Sequence, residues 1–360
     1  MISKPIFAID ARLIATKSTG DATYWRGLVD GLQLIETNAT FLLFSNEPRP
    51  KFVPESERFR WIHLAGRSTR WWSLVQFPLA ARKAGAKVMH TQYALSPLAG
   101  KLGISTIHDV SFFVEPLWFQ PRDRFLLQRS CQLTSKIAKT IITVSHSSAR
   151  EIEHFLPSSK NKIAVTYPAC GIEISKLSKA EAAQILTDEL KIGQPFMLAV
   201  GTRWPRKNMQ LAIDATALLG PGTPKLVISG KAGWGEERLN PHVVATGYVT
   251  DRQLSALYSA AELYLAPSFH EGFGITLLEA FTCGCPVLCS RGGAHPEVAG
   301  LAADIMPDFE PTSWAERIRR LLPDSSKLEE MRELGIHRAS DFSWKRMAQE
   351  TYQVYFEAMK

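Results

Sequence analysis

Long apolar runs are missing from this chain. No stretch approaches the 18 or more apolar residues of a membrane span, and the opening MISKPIFAIDARL carries charges where a signal peptide would need an apolar core. The expected product is therefore a globular cytoplasmic protein. Cysteine is also scarce. Cys131, Cys170, Cys283, Cys285 and Cys289 are odd in number and lack paired metal-type spacing, so reduced thiols are expected and no metal site. Three of them, Cys283, Cys285 and Cys289, fall at a helix end and in the strand pattern after it, where small side chains pack. No internal repeat or low-complexity segment is evident.

What is present is enough apolar material for two cores: 360 residues, 45% of them hydrophobic. Strand and helix patterns alternate, which implies α/β architecture with parallel sheets covered by helices. Strands are expected near 5–10, 40–45, 60–64, 87–91, 104–108, 140–144 and 162–166, then near 196–201, 225–230, 243–246, 263–266 and 285–289. The domain boundary falls between 168 and 194, giving domains of 1–172 and 173–343. A last helix pattern covers 344–359.

The most informative segment is HEGFGITLLEA, residues 270–280, in which Glu271 and Glu279 bracket a Gly-Phe-Gly turn. It comes after an apolar strand pattern and opens a helix expected over 274–283, with Ile275, Leu278 and Phe281 at helical spacing. Gly272 and Gly274 let the backbone approach a ligand, and the first helical turn leaves amides unpaired. Glu279, inclined back toward the helix start, and Glu271, just outside it, are placed to touch one polyhydroxylated ligand. The plainer reading is an acid favouring the helix dipole and an ordinary surface Glu.

A second constellation comes after the buried strand pattern PFMLAVGT at 195–202. Arg206 and Lys207 fall at the start of a helix carrying Leu211, Ala215 and Leu218 on one face. Cations there oppose the macrodipole, so an anion such as a diphosphate is expected between them, Arg offering a planar fork and Lys a compact charge. The alternative is a solvated basic face.

Together these residues resemble the family 4 retaining glycosyltransferases (glycosyl transferases group 1), which have the GT-B fold and use nucleotide-activated sugars. The resemblance rests on AVGTRWPRKN, LVISGKAGWGEE, ATGYVTDRQLSALYSAAELYLAPS, HEGFGITLLEA, CGCPVLCS and HPEVAG in the C-terminal half. In the N-terminal half it rests on Asp10-Ala11-Arg12, STGDATYWRGL, Thr106-Ile107-His108-Asp109 and TIITVS at 140–145. It implies two Rossmann-like domains facing across a cleft, the first for the acceptor and the second for the nucleotide sugar. The helix at 344–360 would cross back to the first.

By that resemblance Glu279 should bind ribose hydroxyls and Glu271 should lie near the transferred sugar. Backbone amides of Gly272, Phe273, Gly274 and Ile275 should contact sugar hydroxyls, with Thr276 near the phosphates and Val249 near the base. Arg206 and Lys207 should grip the diphosphate. His108 should hydrogen-bond the donor sugar; by itself a His ending a strand is as readily a satisfied core residue. Gly20 is the corresponding loop residue of the first domain, but the Asp21 after it departs from the family. As an acidic N-cap Asp21 would suit the helix carrying Trp25, Leu28, Val29 and Leu32, and it would repel a phosphate. His146 reads as a helix start. No metal or other cofactor is implied.

Charge is uneven. Residues 1–170 hold 22 Lys and Arg against 12 Asp and Glu, whereas the remainder holds 20 against 23. The basic half is the expected acceptor half, and Arg67-Ser68-Thr69-Arg70-Trp71-Trp72 mixes cations with aromatics as peripheral sites on anionic membranes do. Alternatively Trp72, Val75 and Leu79 pack a helix on the sheet. Nucleic acid is not expected, since no recognition module accompanies the charge. The expected function is retaining transfer of a hexose from a GDP- or UDP-sugar to a glycan, lipid-linked or small-molecule acceptor. A sugar-nucleotide epimerase and a non-catalytic binding partner of the same fold are the rivals. Both fit poorly with a chain that keeps Glu271, Glu279, Arg206 and Lys207.

Overall fold

The computed structural model describes residues 4–16, 20–53, 55–66, 68–233 and 238–360. Arg67 and the Trp234–Glu237 part of LVISGKAGWGEE therefore lie outside the described residues, as do Ser18 and Thr19 of STGDATYWRGL. The chain divides into two compact units, Met1–Pro168 with Ser343–Lys360, and Ala169–Phe342.

The first unit is built on seven parallel strands: β1 (Ile6–Asp10), β2 (Thr40–Ser45), β3 (Phe59–His63), β4 (Val88–Gln92), β5 (Gly103–Thr106), β6 (Thr140–Thr143) and β7 (Ile163–Val165), ordered 3-2-1-4-5-6-7. Phe7, Ala8 and Ile9 of β1 are all buried, as a central strand covered on both faces requires. The helix Trp344–Met359 lies in this unit, against the helix Gly20–Gln33. Two glycines permit that contact: a Cβ on Gly27 would sit 2.3 Å from the Trp344 ring, and one on Gly31 would sit 2.1 Å from the Trp344 carbonyl oxygen. Polar ties reinforce it. Tyr355 Oη pairs with His90 Nδ1 at 2.6 Å, and Lys139 Nζ donates to the Ala358 carbonyl at 2.6 Å.

One expected helix face is corrected. Trp72 is buried and stacked on Phe77, yet Leu79 is exposed. The helical run Thr69–Lys83 contains a π-helical segment, Trp72–Gln76, that rotates the succeeding turns, so Phe77, Pro78 and Ala81 face the core instead.

The second unit has six parallel strands: β8 (Phe196–Val200), β9 (Lys225–Ser229), β10 (Val243–Gly247), β11 (Leu263–Ala266), β12 (Val287–Ser290) and β13 (Asp304–Met306), ordered 10-9-8-11-12-13. β13 was not expected: its three residues, Asp304–Met306, open on a charged side chain and form no apolar run. Its core gathers Met197, Ala199, Leu226, Leu265, Leu288 and Trp314. In both sheets the strand order reverses once, between β1 and β4 and between β8 and β11. Open α/β sheets bind ligands outside the carboxyl ends of the strands at such reversals.

Candidate active site

In the second unit Arg206, Lys207 and the Gly-Phe-Gly turn with Glu271 come after β8 and β11, the strands at the reversal, whereas Val249 comes after the edge strand β10. The helix at the Gly-Phe-Gly turn runs Ile275–Thr282, with Gly274 as its N-cap at φ 95°, a conformation that favours glycine. Gly293 closes the turn from the β12 side: a Cβ there would lie 2.2 Å from the Glu271 carbonyl oxygen, and the Ala294 amide donates to that same oxygen at 2.9 Å. Glu271 is thus fixed by its backbone before its side chain makes any contact.

That side chain changes the meaning of the two cations. Arg206 and Lys207 do not begin the α-helix; they sit in a 3-10 turn, Pro205–Lys207, separated from the helix Met209–Ala217 by Asn208 at φ 50°. Their charge is met by protein. Lys207 Nζ lies 2.6 Å from Glu271 Oε1, Arg206 Nη1 donates to Oε2 at 3.0 Å, and Ser268 Oγ donates to Oε1 at 2.7 Å. Arg206 also donates to the His270 carbonyl at 2.6 Å. Burial pushes the Glu271 carboxyl up, but Lys207, then Arg206, then His295 outweigh it and hold the group well below the usual carboxylate range. Glu271 is therefore an ionised anchor that sets the geometry of both cations.

His295 completes this shell. Its Nδ1 lies 3.2 Å from both the carbonyl and the hydroxyl oxygens of Ser290. Burial lowers its pKa to about 4 against the pull of Glu271, so it is neutral at pH 7.

Glu279 is buried, which excludes the surface-Glu reading. Tyr258 Oη donates to its Oε2 at 3.1 Å. Burial raises its pKa to about 7, against the opposing effect of Tyr258. Thr276 lies in the first helical turn and its side chain bonds the Tyr264 phenol, while the Ile275 and Thr276 amides have no intrahelical acceptor at that position. Gly272 and Phe273 precede them in the turn and are buried. Val249 is buried just before the helix Asp251–Ala260, whose capping box is Thr250 with Gln253.

In the first unit the counterpart residues lie at the β1/β4 reversal and just beyond β5. His108 comes after β5, flanked by the Tyr24 and Tyr93 rings at centroid distances of 4.6 and 5.8 Å. Burial lowers its pKa, and Asp21 and Asp109 oppose that. Gly20 is exposed and is the first residue of the helix Gly20–Gln33. Asp21 is consequently inside the first turn and is not the N-cap. Its carboxylate turns to Gln92, whose Nε2 donates to Oδ2 at 2.7 Å. His146 opens the helix His146–Phe155 behind a Ser145 cap.

Comparison with known proteins decides the family. The family model for glycosyl transferases group 1 matches residues 185–338. The O-antigen chain mannosyltransferase B of Escherichia coli is 33% identical over 265 residues, covering 70% of this chain and 69% of that protein. The chain belongs to the group 1 glycosyltransferases. It is a transferase enzyme. The serotype-specific mannosyltransferase WbdA of Escherichia coli is 27% identical over 224 residues, 58% of this chain but 27% of that protein, so this chain spans about a quarter of it. The solved sucrose-phosphate synthase of Thermosynechococcus elongatus superposes with a TM-score of 0.76 at 20% identity over 99% of each chain, which shows the shared GT-B fold.

Two residues of this candidate site escaped sequence reasoning. Ser268 stands three positions before Glu271 and looks like loop filler. His295 lies in the HPEVAG motif, but nothing local ties it to a carboxylate 24 residues earlier in the chain.

Proposed function

We propose that this protein transfers a mannosyl group from a nucleoside-diphosphate mannose to a glycan or lipid-linked acceptor, with retention of anomeric configuration and without a metal. The observation that carries the reading is the Arg206–Lys207 pair locked on Glu271 beside the first turn of the helix Ile275–Thr282. Two cations and unpaired amides converging on one place suit a departing diphosphate. The similarity to mannosyltransferases supports mannose as the sugar.

In the proposed reaction the bond from the anomeric carbon to the phosphate oxygen breaks first, its electron pair leaving with the diphosphate. The acceptor oxygen bonds to that carbon from the same face, and its proton leaves with the phosphate. Arg206 and Lys207 neutralise the developing charge, which is the role a metal would otherwise fill. An ammonium has three donors and one carboxylate oxygen occupies one, so Lys207 can serve Glu271 and phosphate together. Glu279 holds ribose hydroxyls, and Val249 lies by the base.

The experiment is a thermal-shift screen of GDP, UDP, ADP and their sugar conjugates, since a ligand at about 100 times its Kd adds roughly 2.7 kcal/mol. Selective stabilisation by GDP and GDP-mannose is expected; no response to any nucleotide would reject the reading. Lys207→Ala should then lower turnover by about 10²–10³, the loss typical of one electrostatic stabiliser. A near-normal rate in that variant would remove Lys207 from the chemistry.

A further inference from the structure

Two fully buried tyrosines in the second unit carry hydroxyls that packing does not require. Tyr258 comes from the helix Asp251–Ala260 and Tyr264 from β11, and their rings meet edge to face at a centroid distance of 5.4 Å. Phenylalanine at both places would fill the same space without the cost of burying a polar atom. The hydroxyls are instead joined in a line. Tyr258 Oη donates to Glu279 Oε2 at 3.1 Å, and the Tyr264 phenol bonds Tyr258 on one side and Thr276 on the other. Burial raises the pKa of both phenols, so each stays neutral and keeps one proton. The line surfaces at Thr276, half-buried in the first turn of the helix Ile275–Thr282. At the other end Gly171 leaves Glu279 Oε1 uncrowded, since a Cβ there would lie 3.1 Å from it.

The number of protons fixes the direction of these bonds. Tyr258, Tyr264 and Thr276 own three hydroxyl protons, and the line from Glu279 to Thr276 has three links. An ionised Glu279 only accepts, so Tyr258 turns to it, Tyr264 to Tyr258 and Thr276 to Tyr264. Thr276 then shows a ligand its lone pairs alone. A protonated Glu279 brings one proton more; when its Oε2 donates to Tyr258, every link reverses and the Thr276 proton is released outward.

We propose, resting on the nucleotide-sugar reading, that Tyr258 and Tyr264 are positioning residues that couple Glu279 to Thr276: Thr276 donates to a phosphate oxygen of the ligand when Glu279 carries a proton and cannot when Glu279 is ionised. The ribose end and the phosphate end of one nucleotide are thereby linked through the core of the unit. Asp251 and Tyr258 face Glu279 from the helix Asp251–Ala260, Lys207 from its 3-10 turn, Cys170 from the segment leading to the helix Lys179–Ile185, and Cys283 from the end of Glu279's own helix. Burial pushes both thiols up to about 12, so they stay neutral where Glu279, raised to about 7 chiefly by burial, changes charge.

The test is the ratio of GDP affinities of the parent protein and Thr276→Val, from titration calorimetry at about pH 5.5 and about pH 8.5, either side of the Glu279 midpoint. Taking the ratio at each pH cancels the ligand's own titration. It should be about 1 at the higher pH and about 10 at the lower, the worth of one hydrogen bond to a charged oxygen. Thr276→Ser keeps the hydroxyl and should behave as the parent. In a Tyr264→Phe background the Thr276 proton is free at both pH values, and the ratio should be about 10 throughout. A parent ratio that does not change with pH overturns the coupling, as does a Tyr264→Phe background in which the pH dependence survives; should that background fail to fold, the parent ratio decides. A second measurement needs no nucleotide: the side-chain carboxyl ¹³C shift of Glu279 is titrated in the free protein. Its midpoint should rise in Tyr264→Phe, because Tyr258, no longer accepting a bond, becomes a weaker donor. An unchanged midpoint overturns the relay. Failure of GDP to bind the parent rejects the nucleotide reading separately, and the carboxyl titration then decides the relay by itself.

Discussion

At Glu279 burial and binding pull in opposite directions. Its carboxyl has an ordinary value of 4.5 and is raised to about 7 in the fold, chiefly by burial, with Tyr258 opposing, Asp251 adding to the rise and Lys207 opposing. A raised carboxyl pKa means that the folded state binds more protons than the unfolded one between those values. Stability therefore falls as pH climbs from about 4.5 to about 7, by roughly 3 kcal/mol in total. Glu279→Gln keeps an acceptor for the Tyr258 hydroxyl and removes this ionisation. We expect the variant to melt higher than the parent above pH 7, the difference shrinking toward pH 4.5, while its affinity for a nucleoside diphosphate drops because a neutral amide is a weaker acceptor for ribose hydroxyls. Melting curves across that pH range check the first half and titration at pH 8 the second. A difference that does not change with pH would show that Glu279 carries no such penalty. Glu271 is the opposite case, its charge secured by cations, so any stability it lends is lost only in strong acid.

Among the elements, the contact between Gly20–Gln33 and Trp344–Met359 depends most sharply on side-chain size. Replacing Gly31 by Ala should gain up to about 1 kcal/mol of helix propensity. Against this, the added methyl would lie 2.1 Å from the Trp344 carbonyl oxygen and 2.8 Å from the Ala348 methyl, and overpacking of that kind costs about 1–3 kcal/mol. Clash exceeds propensity, so Gly31→Ala should lower the melting temperature. Amide exchange should rise in the Trp344–Met359 helix and stay unchanged in the second unit's sheet. The same elements show how far sequence reaches. The last helix was legible because Trp344–Met359 keeps one apolar period, and twelve strands were legible as short apolar runs. The π segment at Trp72–Gln76 was not, since a one-residue change of phase looks like noise in a short run. The basic pair was expected at a helix start, whereas it sits in a 3-10 turn against a carboxylate that local pattern could not supply: Glu271 lies 65 and 64 residues from Arg206 and Lys207, and only the fold brings them together. Asp21 was misread as a cap for the same reason. A capping preference is local, but the Gln92 that turns its carboxylate away is 71 residues distant.

Across the whole molecule, charge is distributed as if two different tasks were divided along the chain. Residues 1–170 carry a surplus of ten positive charges, while the rest is acidic by three. No helix among the described residues is long and apolar enough to cross a membrane. Yet Arg70, Trp71 and Leu74 stand exposed on one helical run, Trp71 with 51% of its surface in solvent. An exposed indole beside cations suits the interfacial region of an anionic bilayer, each cation near the surface adding about 1 kcal/mol. Such attraction acts within a Debye length, near 10 Å at 0.1 M salt and 3 Å at 1 M. The protein should therefore co-sediment with vesicles containing phosphatidylglycerol at low ionic strength, release as salt approaches about 1 M, and bind neutral phosphatidylcholine vesicles poorly. Trp71→Ser should weaken vesicle binding several-fold without lowering the melting temperature, because this ring contributes little to the core. Absence of co-sedimentation at low salt would remove the membrane from the account and leave the basic surface to a soluble anionic acceptor.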